Sequence, residues 1–282
     1  AEGRATLRLG VQGSGQGQET VFGRVVAEAL GLDASAVRVL QGDSDFGIAG
    51  GPSVASRSTA TAGNAARRAA EALIEAAQPA AARLLQAAPD AVTFRDGAFE
   101  APGGARTTLA EVARETGGLS VRATAEVPET YPNGVHVTEV ELDPDTGEAR
   151  VVAYAAADDA GTVLDHVLLD GQVMGGAVQG IGQALCEQVA HDAAGQLLTG
   201  SFMDYAMPRA ADAPPFVLLA RPCPATTNPL GAKGAGEAGT TAAPAAVLNA
   251  IDDALPPALR GRLSLPAAPE TIWRLMREAS AA

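Results

Sequence analysis

The chain has 282 residues, 47% of them apolar and 19% charged, with a formal net charge of −13. That is enough apolar material for a sizeable core in one large or two ordinary domains, and it excludes a disordered chain. The acidity argues against a nucleic-acid partner, because phosphate binding needs a basic surface; it reads as a solubility feature.

No apolar run approaches the roughly 20 residues that span a bilayer. The opening "AEGRATLRLG" is charged and strand-like, without a signal-peptide pattern or an initiator Met. The expectation is a cut or processed edge, or an excised domain. Cys186 and Cys223 are the only cysteines. Two are too few for a disulfide framework, a Cys-rich zinc site or an iron–sulfur cluster, and a cytoplasmic location is expected. His136, His166 and His191 form no HxxxH or HExxH pair. No metal held by protein ligands is expected, so any metal would arrive inside a cofactor.

In chain order, 5–12 reads as a strand and "GSGQGQ" (13–18) as a Gly/Gln turn. Residues 19–32 follow as a helix, with Val21, Phe22, Val25, Val26 and Leu30 near helical spacing. A second strand is expected at 36–43. A Gly/Ser/Thr loop (44–63) leads into an Ala-rich helix over 60–88, which Pro79 should kink or split. A hairpin over 91–101 turns at Asp96-Gly97. A short helix (108–116) and a strand (119–127) complete a first half.

"YPNG" (131–134) opens the second half, followed by a hairpin around "DPDTGE". Residues 165–190 read as a long helix interrupted by Gly171, Gly175, Gly176, Gly180 and Gly182. Each costs about 1 kcal/mol in a helix interior, so they imply close approach of backbone or ligand. A strand (215–222), a Gly-rich stretch, and helices at 241–255 and 269–279 follow. The pattern is α+β, with two similar α/β subdomains carrying mixed sheets, at 1–130 and 131–282.

Three familiar motifs fail. "GSGQGQ" lacks the third glycine of a dinucleotide fingerprint, since Gln18 stands there. In "GAKGAG", Gly234 follows Lys233 where a Walker loop needs Ser or Thr. A hydrolase nucleophile elbow is absent. What remains is four Gly- or Ser-rich turns at 13–17, 50–58, 175–182 and 231–239. Such turns present backbone N–H groups to anions and polar cofactors, although singly most are only turns. In the last of them Glu237 stands alone among glycines and alanines. It reads either as a solvated carboxylate, paired with Lys233 at little gain, or as a general base in a close-packed pocket.

"GQGQET" (15–20), "SVASRST" (53–59), "DGQVMGGAVQGIGQAL" (170–185), "LLTGSFMDYAMPRA" (197–210) and "TNPLGAKGAGEAGT" (227–240) together resemble the molybdenum-binding large subunit of the xanthine oxidase family. The closest look is to bacterial members that oxidise carbon monoxide, aldehydes or N-heterocycles. The resemblance covers only the C-terminal half of such a subunit, its second molybdopterin-binding domain. It implies a component of a molybdenum hydroxylase or dehydrogenase, inactive as an isolated chain, that oxidises an aldehyde, N-heterocycle or similar small substrate with a water-derived oxygen on molybdenum. Glu237 matches the general base. Gly15, Gln16, Gly17, Gln179 and Lys233 match cofactor contacts, as do Ala55, Ser56, Arg57 and Ser58, while Gly234 and Gly236 would let the backbone approach the metal. The implied cofactor is molybdopterin, in bacteria the cytosine dinucleotide form, with molybdenum held by the pterin. The 2Fe-2S clusters and FAD are expected on partner subunits, and the N-terminal half of the large subunit is a further partner. The rival reading is a non-catalytic docking or assembly fragment that binds no cofactor by itself.

Overall fold

The computed structural model describes residues 3–280. Among them are eight strands in three sheets and six α-helices, with no closed barrel. The chain divides into two compact units. Unit 1 combines the residues up to Thr130 with Pro224–Gly234; unit 2 combines Tyr131–Cys223 with the residues from Ala235 on.

Unit 1 begins with strand β1 (Ala5–Arg8), helix α1 (Gln18–Leu30) and strand β2 (Val37–Leu40). The two strands pair in parallel, Ala5 opposite Val37 and Arg8 opposite Leu40, so α1 is the crossover of a βαβ unit. It buries Phe22, Val25, Val26 and Leu30 on one face and ends at Gly31, in the left-handed conformation (φ 63°). A Cβ at Gly31 would strike the backbone of Gly97, so the helix end rests on the turn of the next sheet.

Helix α2 (Asn64–Leu84) is entered through a single π-turn at Thr59–Gly63. It is not split at Pro79 as the sequence suggests; the helix runs through the proline. Ala66, Ala70, Ala77 and Ala81 are buried along it, and that packing holds the helix despite one lost hydrogen bond. Strands β3 (Thr93–Arg95), β4 (Ala98–Glu100) and β5 (Arg106–Thr108) form an antiparallel sheet. Its first turn places Asp96 and Gly97 at φ 47° and 77°, as a type I′ hairpin requires. Helix α3 (Leu109–Glu115) starts with a reciprocal cap: Thr108 N donates to Glu111 Oε2 at 2.8 Å, and Glu111 N to Thr108 Oγ1 at 3.2 Å.

The strand expected at 119–127 does not form. Its alternation is present, with Leu119, Val121, Ala123 and Ala125 half-buried and Ser120, Arg122, Thr124 and Glu126 exposed. The segment nevertheless belongs to no sheet. Alternation gives a chain two faces; a strand also needs a neighbour for its backbone.

Unit 2 holds β6 (Asn133–Leu142), β7 (Ala149–Asp159), α4 (His166–Leu185), β8 (Phe216–Ala220), α5 (Ala238–Ala254) and α6 (Pro269–Ser280). The β6–β7 hairpin is antiparallel, with a bulge at Glu139/Val140, and β8 joins β7 in parallel. Tyr154, Ile181, Val247, Ile251 and Ile272 are fully buried in the core. Tyr154 OH lies 2.7 Å from His136 Nδ1, and His136 Nε2 lies 3.1 Å from Asp158 Oδ2. Burial, and secondarily the Asp158 charge, pushes the Tyr154 phenol well above its ordinary pKa.

The glycines of α4 do not interrupt it; the helix is continuous. Two of them, Gly176 and Gly180, allow close packing on α5. A Cβ at Gly176 would lie 2.9 Å from Thr240 N, and one at Gly180 would lie 2.6 Å from Ala243 Cβ. From the other side, a Cβ at Gly239 would collide with the Val173 carbonyl.

Candidate cofactor-binding site

In unit 1 three of the four Gly/Ser turns converge. The first follows β1 and opens α1. Gly15 and Gly17 take positive φ (104° and 79°), and Gly17 is the N-cap of α1 with no side chain to cap it. The helix therefore presents first-turn N–H groups and its positive dipole end at the loop. Gln16 braces the turn, its Oε1 accepting from Ser14 N at 2.5 Å.

The second turn is tied to the first through Ser53. Its hydroxyl donates to the Gln12 carbonyl at 2.7 Å and accepts from Gln18 Nε2 at 3.0 Å; Ser58 Oγ lies 3.1 Å away. Ala55 and Ser56 both sit at positive φ (54° and 52°). That conformation is rare for residues with a side chain, and it points their N–H groups away from the usual extended path. The Arg57 guanidinium folds over Gly51, where a Cβ would come within 2.6 Å of Nη2.

The third turn, 228–234, is pinned to α2 by a buried amide pair. Asn64 Nδ2 donates to Asn228 Oδ1 at 3.1 Å, Leu230 N donates to Asn64 Oδ1 at 3.1 Å, and Asn228 Nδ2 donates to the Ala232 carbonyl at 3.0 Å. Gly234 then passes so close to the second turn that a Cβ there would strike the Ser56 carbonyl. Lys233, half-buried, is its neighbour in sequence. Gly15, Gln16, Gly17, Ala55, Ser56, Arg57, Ser58, Lys233 and Gly234 thus lie on three mutually connected turns. The sequence reading missed the residues that connect them: Gln18, Ser53, Asn64 and Asn228. Gln18 was visible only as the residue that spoils a dinucleotide fingerprint, and nothing local distinguishes Asn64.

The remaining candidates lie in unit 2. Glu237 is the N-cap of α5; its carbonyl accepts from Thr241 N at 2.9 Å and Thr241 Oγ1 at 2.8 Å. Its side chain is exposed, so the close-packed setting expected around it is not built by unit 2 itself. Burial falls instead on Gly239, the second residue of α5. The carboxylate stands at a helix N-terminus, where the dipole favours negative charge. Gln172, on α4, donates from Nε2 to the Gly236 carbonyl at 2.7 Å and fixes the peptide preceding Glu237. Gln179 is exposed two turns further along α4, on the same stripe as Gln172. Gln172 was not singled out by sequence.

A family profile described as a molybdopterin cofactor-binding domain matches residues 1–214. The chain belongs to that family. Among curated relatives, this domain is 37% identical over 285 residues to the 6-hydroxypseudooxynicotine dehydrogenase complex subunit gamma of Paenarthrobacter nicotinovorans. It is 36% identical over 287 residues to the nicotine 6-hydroxylase large subunit of the same organism. Each match covers 96% of this chain but only 36% and 35% of the relative. The crystal structure of Cu,Mo-CO dehydrogenase in its carbon monoxide reduced state superposes with TM-score 0.89 at 29% identity, over 97% of this chain and 36% of that one. The fold is that of the molybdenum hydroxylase large subunits, and the domain spans about a third of the length of these relatives.

The residues of unit 1 fit a large polar cofactor of this kind. Gln18 and Gln41 are each left with a buried carboxamide oxygen that has no hydrogen-bond partner. Reversing the Gln18 amide exchanges the unmatched atom without removing it. Buried polar atoms without partners cost about 1–3 kcal/mol each, so a site that keeps them suits a ligand able to satisfy them. The donor set of backbone N–H, carboxamide and hydroxyl groups, with Arg57 and Lys233 for charge, suits pterin heteroatoms and phosphate oxygens. Among the described residues no group of three or more His, Cys, Asp and Glu side chains could hold a metal ion, and no helix is long and apolar enough to cross a membrane.

Proposed function

We propose that the chain is the cofactor-holding C-terminal part of the large subunit of a cytoplasmic molybdenum hydroxylase. Such an enzyme would oxidise an N-heterocycle, aldehyde or comparable small substrate. The linkage of three Gly/Ser turns in unit 1, together with the partnerless buried carboxamide oxygens of Gln18 and Gln41, supports this reading most directly. The activities for which the relatives are named, which include hydroxylation of nicotine, favour a small electron-poor substrate. Residues 1–130 and 131–282 would be the two subdomains of the cofactor domain, except that Pro224–Gly234 packs with the first. Partner subunits would carry the 2Fe-2S clusters and FAD, and the remainder of the large subunit would complete the site.

Gly15, Gln16 and Gly17, with the first turn of α1, would hold the cofactor's polar edge through N–H and carboxamide groups. Ala55, Ser56, Arg57 and Ser58 would bind its phosphate portion, most simply as the cytosine dinucleotide form. Lys233, Gly234 and Gly236 would admit it closely, and Gln179 would donate from α4. When bound, the cofactor supplies the redox centre that takes two electrons from the substrate. Glu237 would act as general base, its carboxylate taking the proton from the water-derived nucleophile. The reading is supported by the Gln172–Gly236 bond, which fixes the backbone just before Glu237 at the start of α5.

The test is metal and pterin analysis of the assembled protein, together with Glu237→Gln. Bound molybdenum and pterin are expected in both forms, with turnover reduced roughly 10²–10⁴-fold in the variant. An assembled protein without molybdenum would sink the enzyme reading and leave the docking fragment. Near-normal turnover in the variant would remove Glu237 from its role.

A further inference from the structure

Unit 1 contains a cavity of about 830 Å³ lined by two unbroken runs of chain. One is every residue from Gly3 to Val11, which includes β1; the other is every residue from Gly118 to Ala125. Ala62 of the π-turn and Ala65, Ala66, Ala69 and Ala70 of α2 line it as well. A cavity against the face of a strand touches alternate residues; one touched by every residue in a row lies along the strand's edge.

That edge of β1 is open. Leu9 N donates to the Leu40 carbonyl at 3.0 Å, and in a parallel ladder alternate residues turn opposite ways. The N–H and C=O of Thr6 and Arg8 therefore face away from β2, and β1 has no second partner in its two-stranded sheet. The second lining run, Gly118 to Ala125, alternates half-buried and exposed residues from Leu119 on, yet joins no sheet. Strand spacing near 4.8 Å, a layer near 10 Å and a rise near 3.3 Å give about 160 Å³ per strand residue, so the cavity holds roughly five residues.

We propose that this slot receives a β-strand from the part of the large subunit that the relatives carry beyond the stretch matched here. The inserted strand pairs with the open edge of β1 and with residues 119–125, turning a two-stranded sheet and a loose segment into one continuous sheet. The inference rests on the reading that the chain works within a longer subunit, and the length of the relatives supports that occupant. Small alanines along α2 leave room for its inward side chains, and the alternation at 119–125 supplies the matching face. Main-chain pairing gives such a contact affinity, and the side chains give it register.

The test compares amide hydrogen exchange in the 282-residue chain alone and in the assembled protein purified from its own cells, with native mass spectrometry to establish what is assembled. The amides of Thr6, Arg8 and residues 119–125 should exchange at least about 100-fold more slowly in the assembly. Arg8→Pro removes an outward N–H that β2 does not use, and should weaken retention of the remaining subunit at least tenfold. Arg8→Ala keeps that N–H while losing its stacking on Phe46, and should retain it. An assembly containing molybdenum in which those amides exchange as fast as in the free chain overturns the slot and leaves the functional reading intact. Equal retention by both Arg8 variants also overturns it, as does a small molecule occupying the cavity in the assembly. If no larger assembly exists, both readings fall.

Discussion

Asn64 and Asn228 are 164 positions apart and share a 3.1 Å hydrogen bond inside unit 1. With the Leu230 N–H, they carry the third turn against α2, so the placement of Lys233 and Gly234 depends on two neutral amides. Asn64→Ala would leave the Leu230 N–H and one Asn228 atom without partners in a buried setting. The expected loss is about 1–3 kcal/mol, measured by urea unfolding. A loss below about 0.5 kcal/mol would show that the pair is not what holds the turn. Glu237 teaches the opposite lesson. Its isolation among small residues is legible in the sequence, but its exposure is not, because exposure depends on what packs around the loop.

The glycines of α4 and α5 sort by what they face. Gly239 presses on the Val173 carbonyl and the Ala177 nitrogen, while a Cβ at Gly175 would meet nothing within 4 Å. Gly239→Ala should therefore force the helices apart and cost about 1–3 kcal/mol. Gly175→Ala should stabilise by about 0.5–1 kcal/mol, because it removes only unfolded-chain freedom. Thermal melting of the two variants reads this directly, and shifts of the same sign would refute the assignment. Periodicity and caps made α1, α3 and the Asp96-Gly97 hairpin legible, since those signals are local. The segment 119–127 shows the limit: its period-2 pattern is real, but a ladder needs a second chain segment that the pattern cannot name.

Two units, each with its own apolar core, account for the described residues. The candidate site residues are divided between them: Gly15 to Gly17, Ala55 to Ser58, Lys233 and Gly234 fall in unit 1, and Gln179, Gly236 and Glu237 in unit 2. A chain that spans about a third of its relatives is expected to show no turnover alone with an artificial electron acceptor, where the assembled protein turns over. Measurable turnover by the 282-residue chain in isolation would refute that dependence.

Residue order alone determined the family. Several Gly- and Ser-rich stretches in a set sequence, ending in "GAKGAGEAG", are a pattern that short-range chemistry explains and chance does not supply. It also placed the helices, whose hydrogen bonds and apolar stripes close within a few residues. Tertiary structure decided which glycines serve helix packing and which lie on the linked turns of unit 1, and which buried amides join those turns. It also left β1 with an open edge. Each of these is a contact between residues far apart in the chain, and such contacts exist only once the backbone has folded back on itself.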